Sequence, residues 1–232
     1  ALHAMTPRSP RKLPLPGAFT RLELAIVVVV IGVLALLTFP AIARAQAKAS
    51  RIHCVSHLKN LGLGLRIFST DHNRAWPWQV GTNKGGSREF LNDPSLAWPH
   101  FLSFSNEVST PKIARCPSDR DAVQPDAWAD ARTNSAFSYL LGLDAIEGDP
   151  LTILSGDSNL ELNGQRLRST LVTLRTNADL RFDNSRHEQA APGPGNILLG
   201  DGSVHQVTSA QLREAIFVPG YPNSSGRRLL IP

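Results

Sequence analysis

From Leu24 to Ala43 the chain runs for 20 residues without a formal charge, LAIVVVVIGVLALLTFPAIA, entered through a single carboxylate at Glu23. At about 1.5 Å rise per residue this run reaches the ~30 Å of a bilayer's hydrocarbon core, and it predicts a membrane-spanning helix. Arg44, Lys48 and Arg51 mark its exit from lipid. Beyond them Ile52, Val55, Leu58, Leu61, Leu65 and Phe68 recur at three- and four-residue steps, with Lys59 and Arg66 off the stripe. One continuous helix is expected from about Phe19 to about Thr70, its first half facing lipid or sister helices and its second half a globular domain. Pro40 removes one backbone hydrogen bond inside this pattern and predicts a bend rather than an end.

From Asp71 the texture changes to Asn, Gly, Pro and Trp, and Trp76-Pro77-Trp78 with Gly81 to Ser87 reads as a long connection. A short helix is expected within Leu96 to Phe104, and a strand at Ile113-Ala114-Arg115 ahead of a Cys116-Pro117-Ser118-Asp119 turn. Further short strands are expected at Ser138 to Leu143, Leu151 to Leu154, Leu171 to Arg175, Ile197 to Leu199, Val204 to Val207 and Arg228 to Ile231. Asp201-Gly202 between apolar runs suits a primed hairpin turn requiring positive φ. Thr208 and Gln211 have the spacing of a capping box and predict a helix start. A long helix followed by short antiparallel strands is an α+β domain.

Charge changes the picture only once it is located. The net charge is +5, but Arg8, Arg11, Lys12 and Arg21 against Glu23 place +3 within residues 1–43 and leave +2 for residues 44–232. A nearly balanced domain lacks the electrostatic footprint of a nucleic-acid binder. The basic residues ahead of the apolar run instead hold that end in the cytoplasm, which makes the carboxyl-terminal domain extracytoplasmic. Residues 1–18 contain prolines and basic residues without an apolar period and read as a processed leader. An ordinary secretory signal, cut within Ala43-Arg44-Ala45-Gln46-Ala47, is the competing interpretation. It conflicts with the length of the apolar run and with Glu23 at its entrance. Cys54 and Cys116 are the only cysteines. They are either a disulfide, which an oxidising compartment permits, or two unrelated thiols, and two cysteines alone do not make a tetrahedral zinc site.

Gly17-Ala18-Phe19-Thr20-Arg21-Leu22-Glu23, followed by the apolar helix and Pro40, resembles the amino-terminal signal of type IV pilins and type II secretion pseudopilins. The resemblance implies cleavage by a prepilin peptidase between Ala18 and Phe19, methylation of the Phe19 amino group, and assembly through Phe19, Glu23 and Pro40. Ala18 stands where that family usually has Gly, and Arg21 where an apolar residue is usual. Cys54 with Leu58-Lys59-Asn60-Leu61-Gly62, the Cys116 to Asp119 turn, and Arg186-His187 followed by Asn196 and Asp201-Gly202 resemble the large pseudopilin-like proteins of planctomycete and verrucomicrobial type. In those proteins a histidine precedes an Asp-Gly pair; here the segment between His187 and Asp201 is longer. The implied organisation is a leader (1–18), a transmembrane half-helix (19–43), an amphipathic half-helix (44–72) and a pilin-like α+β domain (73–232). The implied partners are the peptidase, sister subunits and the inner membrane, in a single-pass protein with its domain in the periplasm.

Three other chemistries have some sequence support. Ser158 within Gly156-Asp157-Ser158, with Asp183 and His187, has the chain order of a hydrolase triad, though a turn explains Gly-Asp-Ser-Asn equally well. His187 near Asp183, Glu188, Asp201 and His205 suggests a metal, and calcium binds some pseudopilins. Calcium, however, takes six to eight oxygens, and no recurrent Asp/Asn loop supplies them. No cofactor is expected, and His187, Asp201 and Gly202 read as a structural motif pinning a loop to the hairpin. Trp76, Trp78, Trp98 and Trp128 look exposed enough to stack on a sugar or peptide, although packing is the commoner use of tryptophan.

Overall fold

A computed structural model describes residues 20–175, 178–183, 186, 195–217 and 227–232. Helix α1 (Arg21–Asp71) continues through Pro40. The chain divides into two compact units, the first ending at Ala45 and the second running Gln46–Pro232. In the first unit, α1 is long and apolar enough to cross a membrane, and its aliphatic side chains are exposed, Leu24 at 61%, Ile31 at 58% and Leu36 at 76%.

In the second unit the buried face of α1 is Cys54, Leu58, Leu61, Leu65 and Phe68. Ile52, expected on this stripe, is 58% exposed. The reason is phase: at roughly 100° per residue Ile52 lies about 200° from Cys54, on the opposite side of the helix. Gly62 permits the close approach of α1 to the sheet, since a Cβ there would lie 2.9 Å from the Leu198 methyls.

The sheet facing α1 has six strands in the order β5-β9-β1-β2-β7-β8, all antiparallel. They are β1 (Tyr139–Gly142), β2 (Ile153–Asp157), β5 (Thr170–Leu174), β7 (Gly195–Leu199), β8 (Val204–Val207) and β9 (Arg227–Ile231). Strand alternation sends Tyr139, Leu141, Leu198 and Leu230 toward α1. Leu140, Ile197, Leu229 and Ile231 point the other way, onto Leu212 and Ile216 of α3 (Ser209–Ile216) and onto a small sheet. That small sheet orders β4 (Gln165–Arg166), β3 (Leu160–Leu162) and β6 (Leu180–Phe182) side by side. With both faces covered, β1 is buried at all four positions. This explains why it reads as a continuous apolar run rather than an alternation. The second unit is thus a layered α+β domain, helix upon antiparallel sheet.

Several local expectations change. Ile113-Ala114-Arg115 is not a strand: Pro111–Ala114 forms a 3-10 turn, started by Thr110, whose hydroxyl accepts from the Lys112 amide, and by Pro111 in its first position. The region after Asp71 is a series of short 3-10 turns and the five-residue helix α2 (Trp98–Leu102). At the hairpin, Gly202 alone is left-handed (φ 88°), the Leu199 carbonyl accepts from the Gly202 amide, and the Leu199 amide donates to Ser203. This is a three-residue loop with a left-handed glycine rather than the primed two-residue turn. Thr208 and Gln211 do cap α3 reciprocally.

His100 of α2 is fully buried, with Nδ1 2.7 Å from Ser87 Oγ and no partner for Nε2 among the described residues. Burial lowers its pKa to about 4. The unfolded chain, at about 6.5, therefore holds more protons between these values. His100 contributes stability in full above pH 6.5 and loses it as pH falls toward 4, by about 3 kcal/mol in total. Urea unfolding of wild type and His100→Gln at pH 7 and pH 4 should show wild type losing more by about this amount. Parallel losses would refute this assignment.

Candidate functional site

Gly17, Ala18, Phe19 and His187 lie outside the described residues. The start of α1 is described, and it gives Glu23 a partner in its own chain. The Glu23 carboxylate accepts from the Thr20 amide (2.8 Å) and hydroxyl (3.0 Å), while Thr20 Oγ1 accepts from the Glu23 amide (3.2 Å). This is a capping box, with Thr20 before the first helical residue and Glu23 at the third position. Its Thr-x-x-Glu signature, Thr20-Arg21-Leu22-Glu23, is local and present in the sequence. An intrachain bond lowers the cost of a carboxylate at the edge of an apolar run.

The second cluster lies in the globular unit and joins segments far apart in the chain. Arg186 pairs with Asp119, both side chains nearly buried. The same guanidinium donates to the Ser138 carbonyl (2.5 Å) and to Ser158 Oγ (3.1 Å). Ser138 Oγ donates to Asp119 Oδ2 at 2.7 Å. Beside this pair, Asp183 is bound by Arg166, and Asn159 Nδ2 donates to the Asp183 carbonyl at 2.8 Å. At the rim, Asp121 meets Arg168. Apart from Ser138, these side chains line one cleft. Asp157, at the end of β2, accepts from the Asn196 amide (2.8 Å) and side-chain nitrogen (2.9 Å). Tyr139 is held as a phenol, its pKa pushed up by burial first and then by the Asp157 charge.

This arrangement brings together the Cys116 to Asp119 turn and Arg186, two segments singled out by resemblance. Among the described residues, which do not include His187, no serine site is assembled. Ser158 Oγ donates to the Ser138 carbonyl at 3.0 Å, and Asp183 is turned to Arg166 and Asn159. A serine nucleophile needs a base within hydrogen-bond reach, and the described residues offer Ser158 none. Gly156-Asp157-Ser158 is the end of β2 and the start of its short link to β3, not a turn tip.

Asp201 and Gly202 form the hairpin loop of β7 and β8. The Asp201 carboxylate accepts from the Ser203 hydroxyl (2.7 Å) and amide (2.8 Å), which hold it below the usual carboxylate range. Its carbonyl accepts from Arg66 of α1 at 3.0 Å, so the loop is tied to the long helix. Among the described residues no three metal-ligating side chains come together.

Cys54 of α1 and Cys116 are joined by a disulfide, Cα to Cα 5.2 Å. The tryptophans are packing residues rather than a stacking platform. Trp76 and Trp78 are each 1% exposed, their indole nitrogens donating to the Ala145 and Leu143 carbonyls. Trp128 is partly buried and donates to the Val108 carbonyl, and Trp98 packs against the same core. No family model, curated protein or solved structure matches this chain.

Proposed function

We propose that the chain is a prepilin-like structural subunit. It is cleaved before Phe19 and methylated there by a prepilin peptidase, held in the inner membrane by the first half of α1, and assembled with sister subunits into a pilus or secretion pseudopilus. The observation that carries the reading is the first half of α1, an exposed, uncharged run of membrane length entered through one carboxylate. A disulfide in the globular unit agrees with an extracytoplasmic domain. In a filament, Glu23 pairs with the Phe19 amino group of a neighbour, a contact between different surfaces that does not close on itself.

The capping box favours a second reading, a monomeric membrane-anchored module, because Glu23 then has a purely local task. One substitution separates the two. Glu23→Gln keeps a residue able to complete the box but removes the charge. In cells carrying photoreactive groups along Ile26 to Leu37, wild type should give a helix-to-helix crosslinking ladder and Glu23→Gln should lose it while still inserting. Mass spectrometry should find a methylated amino terminus at Phe19. An undiminished ladder in the variant would remove the charge pairing, and no ladder in wild type would leave the anchored module. A start after Ala43, Ala45 or Ala47 would indicate an ordinary secreted protein.

A further inference from the structure

Two histidines on the second half of α1 take no part in the clusters above. His53 and His57 are one helical turn apart, with ring centroids 6.5 Å apart and planes at 57°. His53 is exposed and His57 half-buried. Residues four apart on a helix have Cβ atoms about 5–6 Å apart, the separation at which two imidazoles on one face reach a single ion.

His57 is held for this task by a bond from outside the helix. Its Nδ1 lies 2.8 Å from the Arg115 carbonyl oxygen, and a carbonyl only accepts, so Nδ1 carries the proton. In the neutral ring the lone pair is then on Nε2. A metal-bound imidazole characteristically donates its other N–H in this way, which fixes the tautomer and raises the basicity of the ligating nitrogen. Arg115 directly precedes Cys116, whose disulfide to Cys54 fastens that carbonyl to the same turn of α1. His53 is exposed and free to rotate its ring toward the ion.

We propose that His53 and His57 chelate one divalent transition-metal ion through their Nε2 atoms, at about 2.0–2.1 Å for zinc, with water completing the coordination. Imidazole selects copper, nickel and zinc over magnesium and calcium, and copper should bind most tightly of these. The site is formed by neither the Asp201 loop nor the amino-terminal signal, and it stands independently of the assembly reading.

The test is titration calorimetry of the full chain in detergent micelles, carrying no polyhistidine tag, with copper, zinc and magnesium chlorides. Wild type should bind one copper or zinc ion saturably and no magnesium. His53→Ala and His57→Ala should each weaken binding at least about tenfold, as even loss of an outer-shell partner does, and His205→Ala should leave it unchanged. Nitrogen NMR of the metal-free protein should show His57 protonated at Nδ1, with the Nε2 resonance alone perturbed by zinc. His53 is exposed, so its replacement leaves the fold in place, which circular dichroism checks. Absence of saturable binding in wild type, or unaltered binding in His53→Ala, would overturn the proposal.

Discussion

Replacing Cys54 and Cys116 together by serine is expected to lower the unfolding free energy by about 4 kcal/mol. The bond closes a loop of sequence separation 62, and the chain-entropy cost of such a loop in the unfolded state is about this size. Both residues are fully buried, so the bond should also resist reductant until the domain unfolds. Its position amplifies the effect. It pins α1 where the buried face of the helix begins, and it anchors the turn that carries Asp119. The measurement is thermal and urea unfolding of wild type and the double variant in detergent, with peptide mapping under non-reducing conditions. A fall in midpoint of roughly 10 °C is expected for a domain of this size. Free thiols at both positions in protein purified without reductant, or equal stabilities, would refute the claim.

Replacing Arg186 by methionine should cost about 3–5 kcal/mol, the usual penalty for removing one partner of a buried ion pair. The change leaves Asp119 charged at 7% side-chain exposure and takes a donor from both the Ser138 carbonyl and Ser158 Oγ. Most of the loss is the uncompensated carboxylate, so it should be partly recovered by Asp119→Asn in the same chain. A double-mutant cycle by urea unfolding tests this: the two single losses should sum to more than the loss in the double variant. Additive losses would mean that the two side chains act independently.

The pairing of Arg186 with Asp119 is a product of the tertiary structure. The sequence marks Asp119 in a Pro-containing turn and Arg186 beside His187, but nothing local pairs them. Their proximity depends on β1 and β2 lying side by side, since Ser138 leads into β1 and Ser158 follows β2. Likewise Ser158 and Asp183 look like parts of a triad in chain order. The fold gives each a different partner, because a buried polar group goes to whatever donor or acceptor the packing supplies. His57 is similar: its helical spacing to His53 is visible in the sequence, and its tautomer depends on a carbonyl from another segment.

The sequence by itself determined the features whose energetics are local. These are the membrane-length run and the extent of α1, the apolar strands near β1, β5 and β9, the presence of the β7-β8 hairpin, and the capped start of α3. Each rests on a periodicity, a cap or a glycine that acts within a few residues, so the neighbouring residues are enough to specify it. The tertiary structure alone decided the strand order β5-β9-β1-β2-β7-β8, the short strands β3, β4 and β6, the joining of Cys54 to Cys116, and the burial of Trp76 and Trp78. It also decided that Cys54, not Ile52, begins the buried face of α1. Segments as short as Gln165–Arg166 have no stability alone. They become strands only when a neighbour satisfies their backbone groups and a second layer covers their side chains, and both come from residues distant in the chain.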